Sequence, residues 1–188
     1  MSASAPIPVR AHPLVLGTVL FLASELMFFA ALFAAYFDLR TSRAHWPPPP
    51  PHSDLLGASI GTLALGIGSL VMIAATKAMD RKNWTAARAW TLSAITAALV
   101  FVVIAIHGYA HDPFSISTNA YGTVYYTITG FHLLHVAGGI AVLLAMLFGM
   151  RSPALRASCR EGIEAMTYYW HFVFIVWLGI FTTVDLIK

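Results

Sequence analysis

Charge is what this chain has least of. Of its 188 residues 10% are Asp, Glu, Lys or Arg, whereas 59% are hydrophobic and the mean hydropathy is +0.75. That leaves too little polar surface to cover a compact water-soluble globule, so a soluble domain is excluded. With Cys159 its only cysteine, the chain has no internal disulfide, and the position of that residue in a basic stretch points to a reducing side. Also missing is the roughly ten-residue alternation of apolar and polar positions that marks an outer-membrane barrel. The net charge of +3 is carried by cations scattered between apolar runs, with no single basic face, so nucleic acid is not a partner.

What remains is an all-α membrane protein. Five apolar runs, at about 14–37, 55–76, 86–106, 122–149 and 165–187, are each near or above the roughly 20 residues that a spanning helix needs. Short connections join them, so the expected architecture is an up-and-down bundle of five transmembrane helices forming one domain, 14–188, after a short N-terminal tail, 1–13. The first run is too long for a cleaved signal peptide and reads as a signal anchor. Arg10, Lys77, Arg81, Lys82, Arg88, Arg151, Arg156 and Arg160 fall on one side of the membrane, against Arg40, Arg43 and Lys188 on the other. That asymmetry puts the N-terminus in the cytoplasm and the C-terminus outside. Trp84 and Trp90 read as interface anchors, and Gly57 and Gly61, followed by Gly66 and Gly68, allow close helix approach, within the chain or by a partner. Trp46 with the five prolines after it reads as a stiff extended strap, either a linker or a contact for a partner surface. Beyond the third run, Ser117, Thr118 and Asn119 are candidate helix caps.

Against this background a few polar residues stand out. Glu25 sits in the middle of the first run, where a charged residue costs roughly 2.5–3.5 kcal/mol to insert, so it is the first functional candidate. The plainer alternative is a protonated Glu hydrogen-bonded to a neighbouring helix for packing. His132 and His135, three residues apart, share a face of the fourth run. Glu164, Tyr168 and His171, at i, i+4 and i+7, share one on the fifth, beside Trp170, and such faces normally turn inward. This set could ligate haem or a metal, relay protons, or form a satisfied hydrogen-bond network that fixes packing and meets lipid headgroups. The last is favoured. Two histidines at i, i+3 cannot flank one porphyrin, although His132 or His135 with His171 could, and no metal signature is present.

Several segments taken together carry a resemblance: Ser24-Glu25-Leu26-Met27-Phe28-Phe29-Ala30 with Ala34-Ala35-Tyr36-Phe37, Trp46-Pro47-Pro48, Tyr121-Gly122-Thr123, Thr129-Gly130-Phe131-His132, His135-Val136, Tyr168-Tyr169-Trp170-His171-Phe172-Val173 and Val176-Trp177. In this order the chain resembles subunit III of the haem-copper cytochrome c oxidases, in the short five-helix actinobacterial-like form. The resemblance implies a subunit of an aa3-type oxidase that supports reduction of O2 to water and proton pumping without catalytic residues, redox centre or metal of its own. Haem a, haem a3 and copper would belong to partner subunits. Subunits I and II are the implied partners, with membrane lipid, a structural phospholipid in a cleft, and possible places for a small extra helical subunit and a larger respiratory supercomplex. It also implies the plasma (inner) membrane of a bacterium. Glu25 matches the family's carbodiimide-reactive carboxylate, and His132, His135, Glu164 and His171 would line or brace the same bundle. Phe174 stands where the family usually has Asp, Leu133 where it has Gly, and Ala105 and Gly108 where Gln and Glu are common. Other readings are an accessory subunit of a quinol oxidase or nitric-oxide reductase, a small proton-linked transporter, and a membrane haem protein.

Overall fold

The computed structural model describes residues 13–43, 45–48 and 54–187. Among them are five long helices and no strand: α1 (Pro13–Thr41), α2 (Leu55–Asp80), α3 (Trp84–His111), α4 (Ala120–Gly149) and α5 (Arg156–Phe181). A 3-10 turn, Pro153–Leu155, leads into α5, and a π turn, Thr182–Leu186, continues it. All five segments are long and apolar enough to cross a bilayer. The tail 1–12 and prolines 49–51 lie outside the described residues.

The helices run past the hydrophobic runs that announce them, because helical hydrogen bonding continues into the interfacial region where polar side chains are solvated. The largest difference is in α5, which starts at Arg156 rather than near residue 165. Its first turns are amphipathic: Cys159, Gly162 and Ile163 are buried, while Arg156, Arg160, Glu161 and Glu164 stay at least partly exposed. Hydropathy averaged along the chain reads such a stretch as a loop, although one of its faces packs. Cys159 is therefore not a loop thiol but a buried helical residue, 5% exposed, whose Sγ lies 3.8 Å from the Met146 carbonyl.

Helix starts are set by side chains that accept orphan backbone N–H groups. Asp54 accepts from Gly57 N at 2.9 Å, Asn83 from Ala86 N at 3.1 Å, and Asn119 from Gly122 N at 2.8 Å. Of the three candidates before α4, Asn119 is the cap. Thr118 instead accepts from Ser115 N at 2.9 Å within its own turn. We expect Asn119→Ala to destabilise the protein by about 1 kcal/mol, measured by denaturant titration in mixed micelles, because the Gly122 N–H loses its acceptor.

Short connections make the bundle antiparallel, and long-range contacts show which ends meet. At one membrane face Arg160 on α5 grips Asp80 on α2 at 2.7 and 3.1 Å, and Arg156 lies over the Trp84 ring of α3 at 4.9 Å. At the other, Tyr36 on α1 donates to the Thr183 carbonyl at 2.9 Å and Arg40 to that of Ile187 at 3.0 Å. α2 and α3 form a tight hairpin, and α5 packs on α1, α2 and α4. Of the five, α5 buries the largest share of its surface and α1 the smallest. The close approach of α2 and α3 needs Gly61, where an added Cβ would sit 3.1 Å from the Phe101 ring. Small residues at the helix interface serve packing within the chain.

Candidate functional site

Glu25 projects from α1 onto α4, where its Oε2 lies 3.0 Å from His135 Nε2. The other ring nitrogen, Nδ1, is 2.7 Å from the Phe131 carbonyl one turn back and can only donate to it. Nε2 of a neutral ring therefore has no hydrogen to offer. The contact is a hydrogen bond when one proton lies between the two groups, on the carboxyl or on the imidazole. Both side chains are largely shielded, 14% and 20% exposed. Tyr169 of α5 donates to the His135 carbonyl at 2.8 Å, tying a third helix to the pair. Phe29, 1% exposed, places its ring 5.2 Å from the His135 ring. Tyr169 approaches α4 because Gly139 stands there; an added Cβ would sit 3.0 Å from its ring and 3.2 Å from that of Trp170.

His132 faces elsewhere. It is 1% exposed, and its Nε2 donates to the Val173 carbonyl of α5 at 3.0 Å. Its ring packs against Phe101 and Trp177, centroids 5.6 and 5.2 Å away. Donation through Nε2 fixes it as the tautomer opposite to that of a neutral His135. Its Nδ1 is buried without a hydrogen-bond partner among the described residues. The two histidines thus serve two separate interfaces, α4 with α1 and α4 with α5.

The face carrying Glu164, Tyr168 and His171 does not turn into the core. It forms one wall of a groove of about 360 Å³ between α5 and α2, completed by Thr167, Ile73, Thr76 and Lys77. Tyr168 is 48% exposed there, and His171 uses Nδ1 to donate to the Thr167 carbonyl at 2.6 Å. Since α5 begins at Arg156, His171 lies about four turns along it, deep below the charged rim. Trp170 joins neither group. It is 3% exposed, packed near Gly139, with a buried Nε1 that has no hydrogen-bond partner among the described residues. Trp46 turns back onto its own bundle, its ring centroid 5.4 Å from Tyr36 and 5.2 Å from Tyr121, with Pro47 and Pro48 partly buried beside it.

Sequence reasoning named Tyr169 and Thr129 only as members of the resemblance segments, and it reached neither Thr62 nor the pairing of Tyr109 with Thr129. Trp177 donates to Thr62 Oγ1 at 2.8 Å across α5 and α2, and Tyr109 to Thr129 Oγ1 at 2.8 Å across α3 and α4. A threonine in an apolar helix is common, and nothing in its neighbourhood along the chain announces a partner so far away. Ala105, Gly108 and Leu133 line a single cavity of about 50 Å³ together with Tyr109 and Thr129. Phe174 fills space over Gly66, where an added Cβ would sit 3.1 Å from its ring. Among the described residues no three His, Cys, Asp or Glu side chains converge as a metal site would require. The geometry supplies interhelical hydrogen bonds and a groove between α2 and α5.

The chain is similar to known proteins along nearly its whole length. The sequence model of the family described as "Cytochrome c oxidase subunit III" matches residues 7–187. A protein of Mycobacterium tuberculosis (strain ATCC 25618 / H37Rv), "Probable cytochrome c oxidase subunit 3", is 36% identical over 184 residues, covering 95% of this chain and 90% of its own. A Nocardia farcinica protein of the same description is 34% identical over 183 residues, covering 95% and 90%. "Cytochrome c oxidase subunit 3" of Thermostichus vulcanus is 33% identical over 169 residues, covering 89% and 84%.

Proposed function

Because this chain belongs to the cytochrome c oxidase subunit III family, we propose that, as an accessory subunit of an aa3-type oxidase in a bacterial plasma membrane, it braces the catalytic subunit without holding a redox centre of its own. It is a multi-pass membrane protein of an oxidase complex, and its matched relatives are named for cytochrome c oxidase. The observation that carries the rest is how its histidines are used. His132 donates to Val173, His135 to Phe131 while meeting Glu25, and His171 to Thr167. Each of these three imidazoles commits a ring nitrogen to a backbone carbonyl of its own helix or a neighbouring one, and among the described residues no three His, Cys, Asp or Glu side chains converge, which suits a scaffold better than a ligand set.

In this reading subunits I and II contribute haem a, haem a3 and copper, cytochrome c is the donor, and this chain sustains proton uptake by steadying the bundle beside subunit I. The basic ends of α2, α3, α4 and α5 face the cytoplasm by the positive-inside asymmetry, which puts the N-terminus inside and the C-terminus outside. Glu25 and His135 form the central brace. Glu164, Tyr168 and His171 face lipid, and the Trp46-Pro47-Pro48 turn lies at the opposite surface, where a partner subunit or a small additional helical subunit would pack.

Two measurements test this. Affinity purification of the chain from native membranes is expected to bring haem a and oxygen-reducing activity with it; recovery of a homogeneous, haem-free species that is fully functional alone overturns the proposal. The chain purified apart from partners is expected to show no stoichiometric Soret band.

A further inference from the structure

The last turns of α3 carry two histidines that the polar network inside the bundle does not use. His107 and His111 stand at i and i+4, so they project from one side of the helix, and both are exposed. Their rings stack, with centroids 4.2 Å apart and planes 25° from parallel. Two imidazoles at this spacing on one helix face are the arrangement from which helical zinc sites are built.

One of the two rings is also held in a fixed tautomer. His111 Nδ1 lies 2.8 Å from the His107 carbonyl, which only accepts, so Nδ1 carries a hydrogen and donates it. In the neutral ring this leaves the lone pair on Nε2, turned away from the backbone. A metal-bound histidine is oriented in the same way, its second ring nitrogen donating to a backbone carbonyl or a carboxylate. Neither ring nitrogen of His107 is hydrogen-bonded among the described residues, so this ring is free to present a lone pair beside that of His111. Space for an ion is there as well: Gly108 lies next to the pair, and an added Cβ at that position would meet nothing within 4 Å. The backbone contributes a favourable field. α3 ends at His111, with Asp112 as its C-cap, and the carbonyls at a helix C-terminus carry a partial negative charge that attracts cations.

We propose that His107 and His111 chelate one divalent transition-metal ion through one imidazole nitrogen each, Zn2+ being the ion that suits borderline nitrogen donors without demanding a rigid geometry. No third His, Cys, Asp or Glu converges with them among the described residues, so the remaining coordination positions go to water. An ion held in this way clips the end of α3, and with it the connection to α4 that Tyr126 fastens by donating to the Phe114 carbonyl at 3.0 Å. The inference goes beyond the accessory-subunit reading and does not depend on it, because a closed-shell ion at this surface carries no electrons and the redox metals of that reading belong to partner subunits.

The test uses the full chain, purified in detergent without a polyhistidine tag and stripped of metal with a chelator. Wild type, His107→Gln, His111→Gln and the double variant are titrated with Zn2+ at neutral pH, and bound zinc is measured by equilibrium dialysis. Both side chains are exposed, so the substitutions leave the core untouched, and circular dichroism verifies that each variant keeps its helix content. Wild type is expected to bind one zinc ion that no variant binds as tightly. Each single substitution is expected to weaken that site by about tenfold to a hundredfold, and the two by similar factors, since either one breaks the chelate. Zinc is also expected to raise the melting temperature of wild type and not that of either single variant, because an ion bound only by the folded chain stabilises it. Zinc binding unchanged in either single variant overturns the proposal. Binding by wild type only at millimolar zinc, the mark of an adventitious ion only, overturns it as well.

Discussion

Replacing Trp177 with Ala is expected to destabilise the protein by about 3–5 kcal/mol, the cost of removing a buried Trp when its surroundings cannot collapse. Trp177 is 8% exposed and sits where α2, α3, α4 and α5 come together. Its ring centroid is 4.7 Å from Phe101 and 5.2 Å from His132, and its Nε1 donates to Thr62. Inside a membrane, helix association gains nothing from transfer out of water, so packing and interhelical hydrogen bonds carry it, and this side chain supplies both. The existing cavity beside it, about 50 Å³, would grow, and His132 would lose the ring that holds it in line with Val173. Trp177→Phe keeps most of the contact area and strands Thr62, so it is expected to cost about 1 kcal/mol. Unfolding by SDS titration ranks the two. A Trp177→Ala variant within 1 kcal/mol of wild type would show that the four-helix junction does not hold the bundle.

The second large effect is expected at Glu25 and His135. Leu at either position leaves the other polar group unpaired within the membrane, at a cost of about 1–3 kcal/mol each. The double variant is expected to lose less than the sum of the two, with a coupling energy of up to about 1.7 kcal/mol, the range such cycles reach in membrane bundles. Glu25→Gln is the discriminating change. An amide N–H donates to Nε2 while Nδ1 keeps its bond to Phe131, so assembly into the oxidase is expected to survive it and to fall in Glu25→Leu. Equal loss in both would mean that the site needs a full negative charge, which moves the proton onto His135. The readouts are the yield of assembled, haem-containing complex and its half-life of thermal inactivation.

Much of the fold was legible along the chain. A run of apolar side chains longer than a bilayer is thick has few other uses, so the five helices could be counted without knowing their neighbours. Asn119 was legible as one of three caps, since the residue types that accept a helix's first N–H groups are few. The start of α5 was not, because the turn carrying Arg156, Arg160 and Glu164 hides a packed face behind its average polarity. Nor was the α2–α3 turn, where Lys82 takes φ 55° without the glycine that would have signalled it.

The candidate site divided in the same way. Glu25 could be picked out from cost alone, and the histidines from their rarity in such surroundings. Their pairing could not. Residues at i and i+3 lie about 60° apart around a helix, close enough to be read as one face and far enough for His132 to enter the α5 interface while His135 enters that of α1. The proton-sharing partner of His135 is 110 residues away in sequence. Hydropathy sums over neighbours in the chain, so the amino-acid sequence by itself determined that this protein crosses the membrane five times and carries a few costly polar groups at depth. Which of those groups meet depends on how each helix is rotated and which neighbours it packs against. That is settled by side chains distant in sequence, such as Gly139 admitting Tyr169 and Gly61 admitting Phe101, so only the tertiary structure decided it.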